Sequence, residues 1–286
     1  MANLKELRSR ISSVGSTMQI TSAMKMVSAA KLKRAQDAIT QMRPYAQKLE
    51  EILVNVSATL DISENVYSRV SEHPRKILVV AISSNRGLCG AFNANVVKHI
   101  QALKNSREAE VEVFALGKKG AEILSKREPT LNFIGQANAL FDDLRFDSVA
   151  ELAEDLMLRF REGEYDGIEL VYNQFKNAAV QRVQVESFLP IREPEGSQAS
   201  GEYLYEPDKG QILEDIIPKS LKTQLFKALL DSNAAEHGAR MTAMHKATDN
   251  AKALKRELSL EYNKARQAAI TNEILEIVSG AEALNG

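Results

Sequence analysis

The chain has 286 residues, of which 44% are hydrophobic and 26% are charged, and its formal net charge is −1. These values are ordinary for a globular protein and give no sign of a polyelectrolyte partner such as nucleic acid. The single cysteine, Cys89, excludes an internal disulfide, and no apolar run reaches the roughly 20 residues that a membrane-spanning helix needs. The first ten residues lack the apolar core of a secretory signal, so we expect the chain to meet a membrane only through partners.

Residues 1–60 are predicted to form one long helix with a heptad seam. Apolar residues recur at alternating steps of three and four, which favours a left-handed coiled coil with a second helix. The first run of the seam comprises Leu4, Leu7, Ile11, Val14 and Met18, and the second comprises Leu32, Ala35, Ile39, Met42, Leu49, Leu53, Val56 and Leu60. Pro44 removes one backbone donor and is expected to bend this helix without ending it.

The seam changes character between these two runs. Its residues there are Thr21, Lys25 and Ser28. The apolar residues lie off the seam instead, at Ile20, Met24, Met26 and Val27. The pattern therefore predicts a helix that is apolar on sides that do not face its coiled-coil partner, and such a surface indicates a further protein.

The first helix is also basic. Residues 1–48 carry nine basic and two acidic residues, a net charge of +7, and no acid occurs between Arg8 and Gln36. A solvated basic helix face is one interpretation of this asymmetry, and a surface for an acidic partner is the other. The bases are not interleaved with aromatic residues, so a single-stranded nucleic-acid site is weakly supported.

The middle of the chain, residues 75–192, alternates strand and helix patterns. Strands are predicted at 76–83, 110–116, "LNFIG", 167–175 and 180–191, and helices at 91–105, 118–128 and 148–163, the last opened by a Ser148 cap. The final two strands flank "KNAA" and are predicted to form a β-hairpin. The order βαβαβαββ predicts an inserted α/β (Rossmann-like) domain with a largely parallel sheet.

Residues 193–211 are rich in Pro, Gly and Ser and are predicted to form a loop with one short strand. Residues 212–286 are predicted to form a second long helix that starts near Ile212 or Pro218. The insert must receive both free ends on one side, so the two terminal helices are expected to form a long antiparallel coiled coil. The second helix is the longer of the two. The first helix should therefore reach only as far as residue 268 of the second helix. The remaining turns, "AITNEILEIVSGAEAL", are acidic and apolar, and we expect another protein to enclose them.

No catalytic, cofactor-binding or metal-binding residues are predicted. "SSNRGLCGAFN" (83–93) lies between a strand and a helix, where phosphate loops occur, but its spacing matches neither phosphate-loop pattern. We interpret it as a tight strand-to-helix turn, with Cys89 as a partly buried small residue and not a nucleophile. "GKKG" (117–120) is too short to cradle a phosphate. The four histidines do not have metal-ligand spacing.

Four stretches together resemble the gamma subunit of F-type ATP synthases, of the bacterial type. They are "ITSAMKMVSAAKLKRAQ", "SSNRGLCGAFNANV", "AAEHGARMTAMHKATDNA" and "LEYNKARQAAITNEILEIVSGAEAL". The resemblance implies the non-catalytic central rotor shaft of a complex that makes ATP on its beta subunits. It implies as partners the alpha and beta subunits of a hexamer, the epsilon subunit and the membrane c-ring, on the cytoplasmic face of the bacterial inner membrane. A role in regulating ATPase activity and proton flow is implied as well.

The same resemblance implies roles for particular residues. Contacts with the beta or alpha subunits are implied for Met24, Lys25, Lys31, Lys33, Arg34, Glu236, Arg240, Arg266 and Gln267. A tip that turns in an apolar bearing is implied for Ile270, Ile274, Ile277 and Leu284. Two positions depart from the family: Asn85 stands where aspartate is common, and Gly238 stands where alanine is frequent.

Two other hypotheses remain at this stage. The first is an enzyme built on the α/β insert, with the terminal helices as a dimerisation device. The second is a coiled-coil scaffold unrelated to rotation. The missing phosphate loop and catalytic dyad count against the first, and the unpartnered tip helix counts against the second.

Overall fold

The computed structural model describes residues 4–57, 65–141, 143–191 and 209–285. The α-helices in these ranges are α1 (Leu4–Ser57), α2 (Phe92–Ser106), α3 (Lys118–Arg127), α4 (Phe146–Arg161) and α5 (Lys209–Asn285). The strands are β1 (Lys76–Ile82), β2 (Glu110–Leu116), β3 (Asn132–Gln136), β4 (Gly167–Phe175) and β5 (Gln181–Leu189). The chain divides into a terminal unit, Met1–Val27 with Met241–Gly286, and a central unit, Ser28–Arg240.

In the terminal unit, α1 and α5 pair in an antiparallel register. The contacting pairs are Arg8 with Tyr262, Gly15 with Lys255, Thr21 with Thr248, and Lys25 with His245. As the residue number on α1 rises, its partner's number on α5 falls, and the two numbers of each pair add to 269 or 270. The predicted antiparallel coiled coil of the terminal helices is therefore confirmed in this unit.

One polar layer interrupts the apolar seam of the terminal unit. The buried apolar residues of this unit are Leu7, Met244, Ala251 and Leu258. Thr21 is buried among them, and the Thr248 hydroxyl donates to the Thr21 hydroxyl at 2.9 Å. Thr21 in turn donates to the backbone carbonyl of Thr17 at 3.0 Å. A hydrogen-bonded polar layer in a seam favours one register over its neighbours.

The central unit contains a five-stranded sheet in the order β3-β2-β1-β4-β5. Strands β3, β2, β1 and β4 are parallel, and β5 pairs antiparallel to β4 across the predicted hairpin. The α/β domain with a largely parallel sheet is confirmed, and each predicted strand is found within two residues of its predicted bounds. The sheet order reverses at β1, because the chain moves first to β2 and β3 on one side and then to β4 on the other.

Helices cover both faces of this sheet. On one face, α2 and α3 bury Val96, Val97, Ile100 and Leu124 against strand residues such as Val79. On the other face, α4 and the first turns of α5 bury a larger apolar cluster. The members that α5 contributes to that cluster are Ile217, Leu221, Leu225, Ala228 and Leu229. The start of α5 is therefore part of the core of the α/β domain, and the burial drives its docking there.

α1 also contributes to the central unit. Its buried residues there are Leu32, Ala35, Ile39 and Leu49, all members of the predicted heptad seam. Ser28, the last polar seam residue, is 3% exposed. Pro44 lies inside α1, which continues to Ser57, so the prediction that this proline does not end the helix is confirmed.

Two helix starts differ from their predictions. α4 begins at Phe146, and its N-cap is Arg145 without a side-chain cap, so the predicted Ser148 cap is wrong. Phe146 packs edge-on against Phe226 with ring centroids 5.5 Å apart, and this contact explains the two extra residues. α5 begins at Lys209, three residues before Ile212, and Pro218 lies inside it because Ile217 and Leu221 are held in the core. The predicted loop falls almost wholly outside the described residues.

The "GKKG" segment has a structural reason for its glycines. Gly117 has a φ of +104°, and a Cβ added there would overlap the Ser83 carbonyl. A Cβ at Gly120 would overlap the Ser83 hydroxyl, which instead accepts a hydrogen bond from the Gly120 N–H at 3.1 Å. Both glycines therefore allow the end of β2 and the start of α3 to approach the end of β1 closely.

Candidate partner-binding surfaces

An apolar band lies on the exposed side of α1 in the terminal unit. Ile20 is 60% exposed, Met26 65% and Val27 58%, as predicted for apolar residues off the seam. Met24 is half-buried, so it lies at the edge of the seam and not on its outer side. Large apolar side chains with this exposure on consecutive turns are typical of a surface that a partner covers.

Lys25 is held by α5. Its Nζ lies 3.4 Å from His245 Nδ1, and the same nitrogen of His245 lies 3.5 Å from an Asp249 carboxylate oxygen. Asp249 is the acid in this group, and both His245 and Asp249 are more than half exposed. The predicted partner contact Lys25 thus lies on the surface of the coiled coil, half-buried against its helical partner.

Lys31, Lys33 and Arg34 are exposed in the central unit, where α1 continues. Lys33 forms an ion pair with Asp37 at 2.8 Å, with side chains 73% and 54% exposed. Within the described residues, Lys31 and Arg34 form no ion pair with an acid. An exposed pair contributes at most about 1 kcal/mol, so this cationic cluster stays available to an acidic partner.

The end of α5 is exposed on all sides. Leu4, the first described residue, falls opposite position 266 in the antiparallel register, and every described side chain from 271 to 282 is exposed. The exposed apolar side chains there are Ile270 at 47%, Ile274 at 55%, Leu275 at 57%, Ile277 at 71% and Val278 at 49%. The prediction that the first helix ends near 268 is confirmed. The side chain of Leu284 lies outside the described residues, and Arg266 and Gln267 are exposed just before the tip.

Glu236 and Arg240 lie inside the central unit. Each is 8% exposed, and Arg240 Nη1 lies 2.6 Å from Glu236 Oε1. Burial raises the pKa of Glu236, and the adjacent Arg240 opposes that shift. His237 lies 3.4 Å from the same guanidinium, and burial together with the nearby Arg240 lowers its pKa to about 4. His237 is therefore neutral at physiological pH and can accept from Arg240.

The remaining donors of Arg240 bind the turn that follows β1. Nη2 donates to the carbonyl of Arg86 at 2.9 Å and to that of Gly87 at 3.3 Å, and Nε donates to Gly87 at 3.3 Å. No sequence pattern indicates this contact, because its partners are separated by more than 150 residues. The resemblance to the family implies a partner contact for Arg240, and the contacts that the structure shows for it are intramolecular.

The turn itself is tightly built, in agreement with its interpretation as a strand-to-helix turn. Asn93 Oδ1 accepts from the Ser84 N–H at 3.0 Å, and its Nδ2 donates to the Ser84 hydroxyl at 2.8 Å. Asn85 donates to the carbonyl of Asn138 at 2.8 Å, which an ionised aspartate at this position could not do. Leu88 has a φ of +62°, a conformation that a non-glycine residue adopts only where its surroundings impose it.

Cys89 fills the crevice at the carboxyl end of β1. It is 2% exposed and packs in an apolar cluster with Phe92, Ala235 and Ala239. Burial raises the pKa of its thiol, which opposes the thiolate that a nucleophile needs. In open α/β sheets the strand at which the order reverses is where ligands bind. Here α5 occupies that position, which weakens the hypothesis of an enzyme built on the insert.

Another buried acidic residue, on α5, was not predicted either. Asp231 on α5 is 5% exposed and lines a cavity of about 280 Å³ together with Arg43 of α1 and Lys227 of α5. Apolar walls are supplied by Ile39, Met42, Phe175 and Leu230. Burial raises the pKa of Asp231 to about 6, and the two nearby cations oppose the shift.

Among the described residues, no helix combines the length and apolar character needed to cross a membrane. The same residues contain no group of three His, Cys, Asp or Glu side chains placed to hold a metal ion. The two terminal helices present an apolar band, a cationic cluster and an exposed apolar tip at their surface.

Known proteins resemble the chain over its whole length. The family model described as ATP synthase matches residues 3–284. The chain is 62% identical to the ATP synthase gamma chain of Flavobacterium johnsoniae and 50% identical to that of Cytophaga hutchinsonii, with full coverage of each chain.

Solved structures show the same relationship. A chain from the central stalk and c-ring of the Tetrahymena thermophila mitochondrial ATP synthase is 27% identical, with a TM-score of 0.60 over 80% of this chain and 99% of that one. A chain from the rotor of the Euglena gracilis mitochondrial enzyme matches in fold with a TM-score of 0.70 at 22% identity, over 93% of this chain and 98% of that one. The chain therefore belongs to the ATP synthase gamma chain family.

Proposed function

We propose that this chain is the central rotor of an F-type ATP synthase. It couples rotation of a membrane c-ring to the conformational cycle of catalytic beta subunits, and it takes part in regulating ATPase activity and proton flow. Membership of the gamma chain family and the likeness to the central stalk of the Tetrahymena enzyme support this proposal. In this proposal catalysis takes place on the beta subunits. The packing of α5 into the ligand crevice of this chain's own sheet supports that part of the proposal.

The observation that carries the proposal is the exposed apolar tip of α5. Ile274 and Ile277 are more than half exposed, and the antiparallel register supplies no α1 residue to cover them. Burying an isoleucine side chain contributes about 1.5–3 kcal/mol, so a protein sleeve around the tip is strongly favoured. A hexamer of alpha and beta subunits would supply such a sleeve, and the tip would turn inside it.

The cationic cluster of Lys31, Lys33 and Arg34 suits a rotating part. Exposed ion pairs contribute at most about 1 kcal/mol each, so these residues can follow acidic loops of beta without locking to any one of them. The long-range attraction between this cationic cluster and the acidic loops persists during rotation, while any single ion pair can be exchanged for the next one. Met24, Lys25, Arg266 and Gln267 lie at the surface near the same partners in this proposal.

The α/β domain would contact the epsilon subunit and the c-ring. The chain would then lie peripherally at the cytoplasmic face of a bacterial inner membrane, attached through these partners alone.

The chain alone is expected to hydrolyse no ATP and to co-purify with alpha and beta when all three are expressed together. The measurement is affinity purification on a tag carried by this chain, with the captured subunits identified by mass spectrometry. Its control is alpha and beta expressed without this chain. A stable, monodisperse chain that captures neither subunit would contradict the proposed function.

Polar substitution of the tip is expected to weaken the hold of the hexamer. The double variant Ile274→Asn with Ile277→Asn should dissociate from the alpha–beta complex about a hundredfold faster, because two buried apolar side chains are lost and each contributes about 1.5 kcal/mol or more. The matched control is Glu273→Gln with Glu276→Gln, which changes exposed acids on the same turns. Dissociation that is equally slow for both double variants would contradict a bearing around the tip.

A further inference from the structure

Arg240 occupies an unusual place in the central unit. It is the last residue that α5 contributes to this unit, and its side chain, only 10% exposed, lies between α5 and the turn after β1. On its own helix it pairs with Glu236 at 2.6 Å. On the turn it donates to the carbonyls of Arg86 and Gly87 through two different nitrogens. The planar fork of one side chain thus joins two elements in a fixed orientation.

The turn is rigidly attached to the sheet on its other side. Ser84 is the second residue after β1, and Asn93 in the first turn of α2 binds both its N–H and its hydroxyl. Asn173 of β4 donates to the carbonyl of Phe92 at 3.1 Å. A displacement of the turn therefore requires the ends of β1, α2 and β4 to move with it.

Other contacts between α5 and the sheet domain are mostly apolar. The large cluster from Ile217 to Leu229 resists separation of the helix from the sheet, but apolar contact is non-directional and resists rotation about the helix axis weakly. The Gln224 amide donates to the carbonyl of Ser187 at 3.0 Å, far below Arg240 on the helix. A rotation of α5 by about 15° would move a guanidinium about 8 Å from the axis by about 2 Å, which breaks its hydrogen bonds.

We propose that Arg240 is a positioning residue that locks α5 to the turn after β1, so that the sheet domain and the helix rotate as one body. The inference rests on the proposed function, since only a rotor must pass torque from its α/β domain to its helices. Arg240 then acts through the carbonyls of Arg86 and Gly87, and it needs no contact with a partner subunit.

The test uses the complete ATP synthase in inverted membrane vesicles, with Arg240→Lys and Arg240→Gln. Lysine keeps the charge that faces Glu236 but cannot bond two carbonyls in one plane. We expect both variants to assemble and to hydrolyse ATP at the unmodified rate, while proton-driven ATP synthesis falls about threefold. Amide hydrogen exchange in residues 84–92 should rise in both. The control is Lys222→Gln. Lys222 lies on α5 like Arg240, and the substitution breaks its partly exposed ion pair with Glu154 of α4.

Arg240→Lys with an unchanged ratio of ATP synthesis to hydrolysis, and unchanged exchange in the turn, would overturn the inference. A parallel loss of hydrolysis, synthesis and assembly in Arg240→Lys would also overturn it, because that pattern indicates a purely structural role. Failure of the proposed function is read separately, from the unmodified chain: without rotor activity, complexes that contain it would make no ATP at all.

Discussion

Glu236→Ala is expected to lower the free energy of unfolding of the central unit by about 3 kcal/mol. The substitution leaves the guanidinium of Arg240 buried without its acid, and removing one partner of a buried ion pair costs about 3–5 kcal/mol. We expect the lower end of this range, because the carbonyls of Arg86 and Gly87 still accept from Arg240. Urea unfolding of the full-length chain, followed by circular dichroism, measures the loss.

Three further variants make this expectation specific. Glu236→Gln keeps an oxygen acceptor for Arg240 and should cost about 1 kcal/mol, as a neutral hydrogen bond does. Glu154→Ala breaks a more exposed pair with Lys222 and should cost under about 1 kcal/mol. The double variant Glu236→Leu with Arg240→Met replaces the ion pair by apolar side chains and should recover most of the stability.

The double variant also separates stability from positioning. It should be nearly as stable as the unmodified chain, yet it lacks the hydrogen bonds to the turn after β1. If the ion pair served stability alone, ATP synthesis would recover together with the free energy of unfolding. If the free energy of unfolding of Glu236→Ala does not fall by about 3 kcal/mol, the expectation is wrong. That result would show that water reaches Arg240 and screens its charge.

The elements whose apolar residues recur at regular spacing could be predicted from the sequence. The heptad of α1 placed Leu7, Leu32, Ala35 and Ile39 on a seam, and all four are buried. The unequal lengths of the terminal helices placed the exposed tip after residue 268. Apolar runs and the "KNAA" turn located the strands and the hairpin, because burial in a sheet demands nearly continuous apolar residues.

The buried polar contacts could not be predicted in this way. Arg240 binds carbonyls more than 150 residues earlier in the chain, and Tyr165 donates to Glu112 at 2.7 Å across 53 residues. Such pairs do not recur at regular spacing along the sequence. A backbone carbonyl is present in every residue, so the sequence does not indicate which carbonyl accepts the hydrogen bond. Resemblance to the family pointed to Glu236 and Arg240 as important, but the structure was needed to show that they face the interior.

The surface sites were easier to predict from the sequence. They consist of residues outside the heptad seam, which must face away from the partner helix. Once Thr21 is assigned to the seam, Ile20 and Val27 must point away from it, and both are exposed. Met24 was misplaced by the same reasoning. It is half-buried, since a helix turn offers intermediate directions between the seam and the outer face.

Asp231→Asn is expected to stabilise the central unit at pH 7.5 by up to about 3 kcal/mol and to leave it unchanged near pH 4. Burial raises the pKa of Asp231 from 3.8 to about 6 in the folded chain, and each unit of pKa corresponds to about 1.4 kcal/mol. The folded state therefore binds this proton more tightly than the unfolded state. The stability associated with the proton is fully present below pH 4 and is lost as the pH rises through 6.

The surroundings of Asp231 determine how much of this effect remains. Lys227 on the same helix and Arg43 on α1 favour the charged form, whereas Glu186 on β5 disfavours it. The three groups belong to three different elements, and the cavity of about 280 Å³ beside Asp231 can admit water. Asparagine keeps the shape of the side chain and cannot titrate, so the difference between the two chains isolates the carboxylate.

The measurement is urea unfolding of both full-length chains at pH 4, 5, 6, 7 and 7.5. The matched control is Asp215→Asn, which removes the same charge at an exposed position of the same helix. For Asp231→Asn the gain in stability should grow between pH 4 and 6.5 and then level off, while Asp215→Asn should show no such rise. A gain that is equal at all five pH values would mean that Asp231 stays ionised throughout, with water in the cavity replacing the hydration that burial removes.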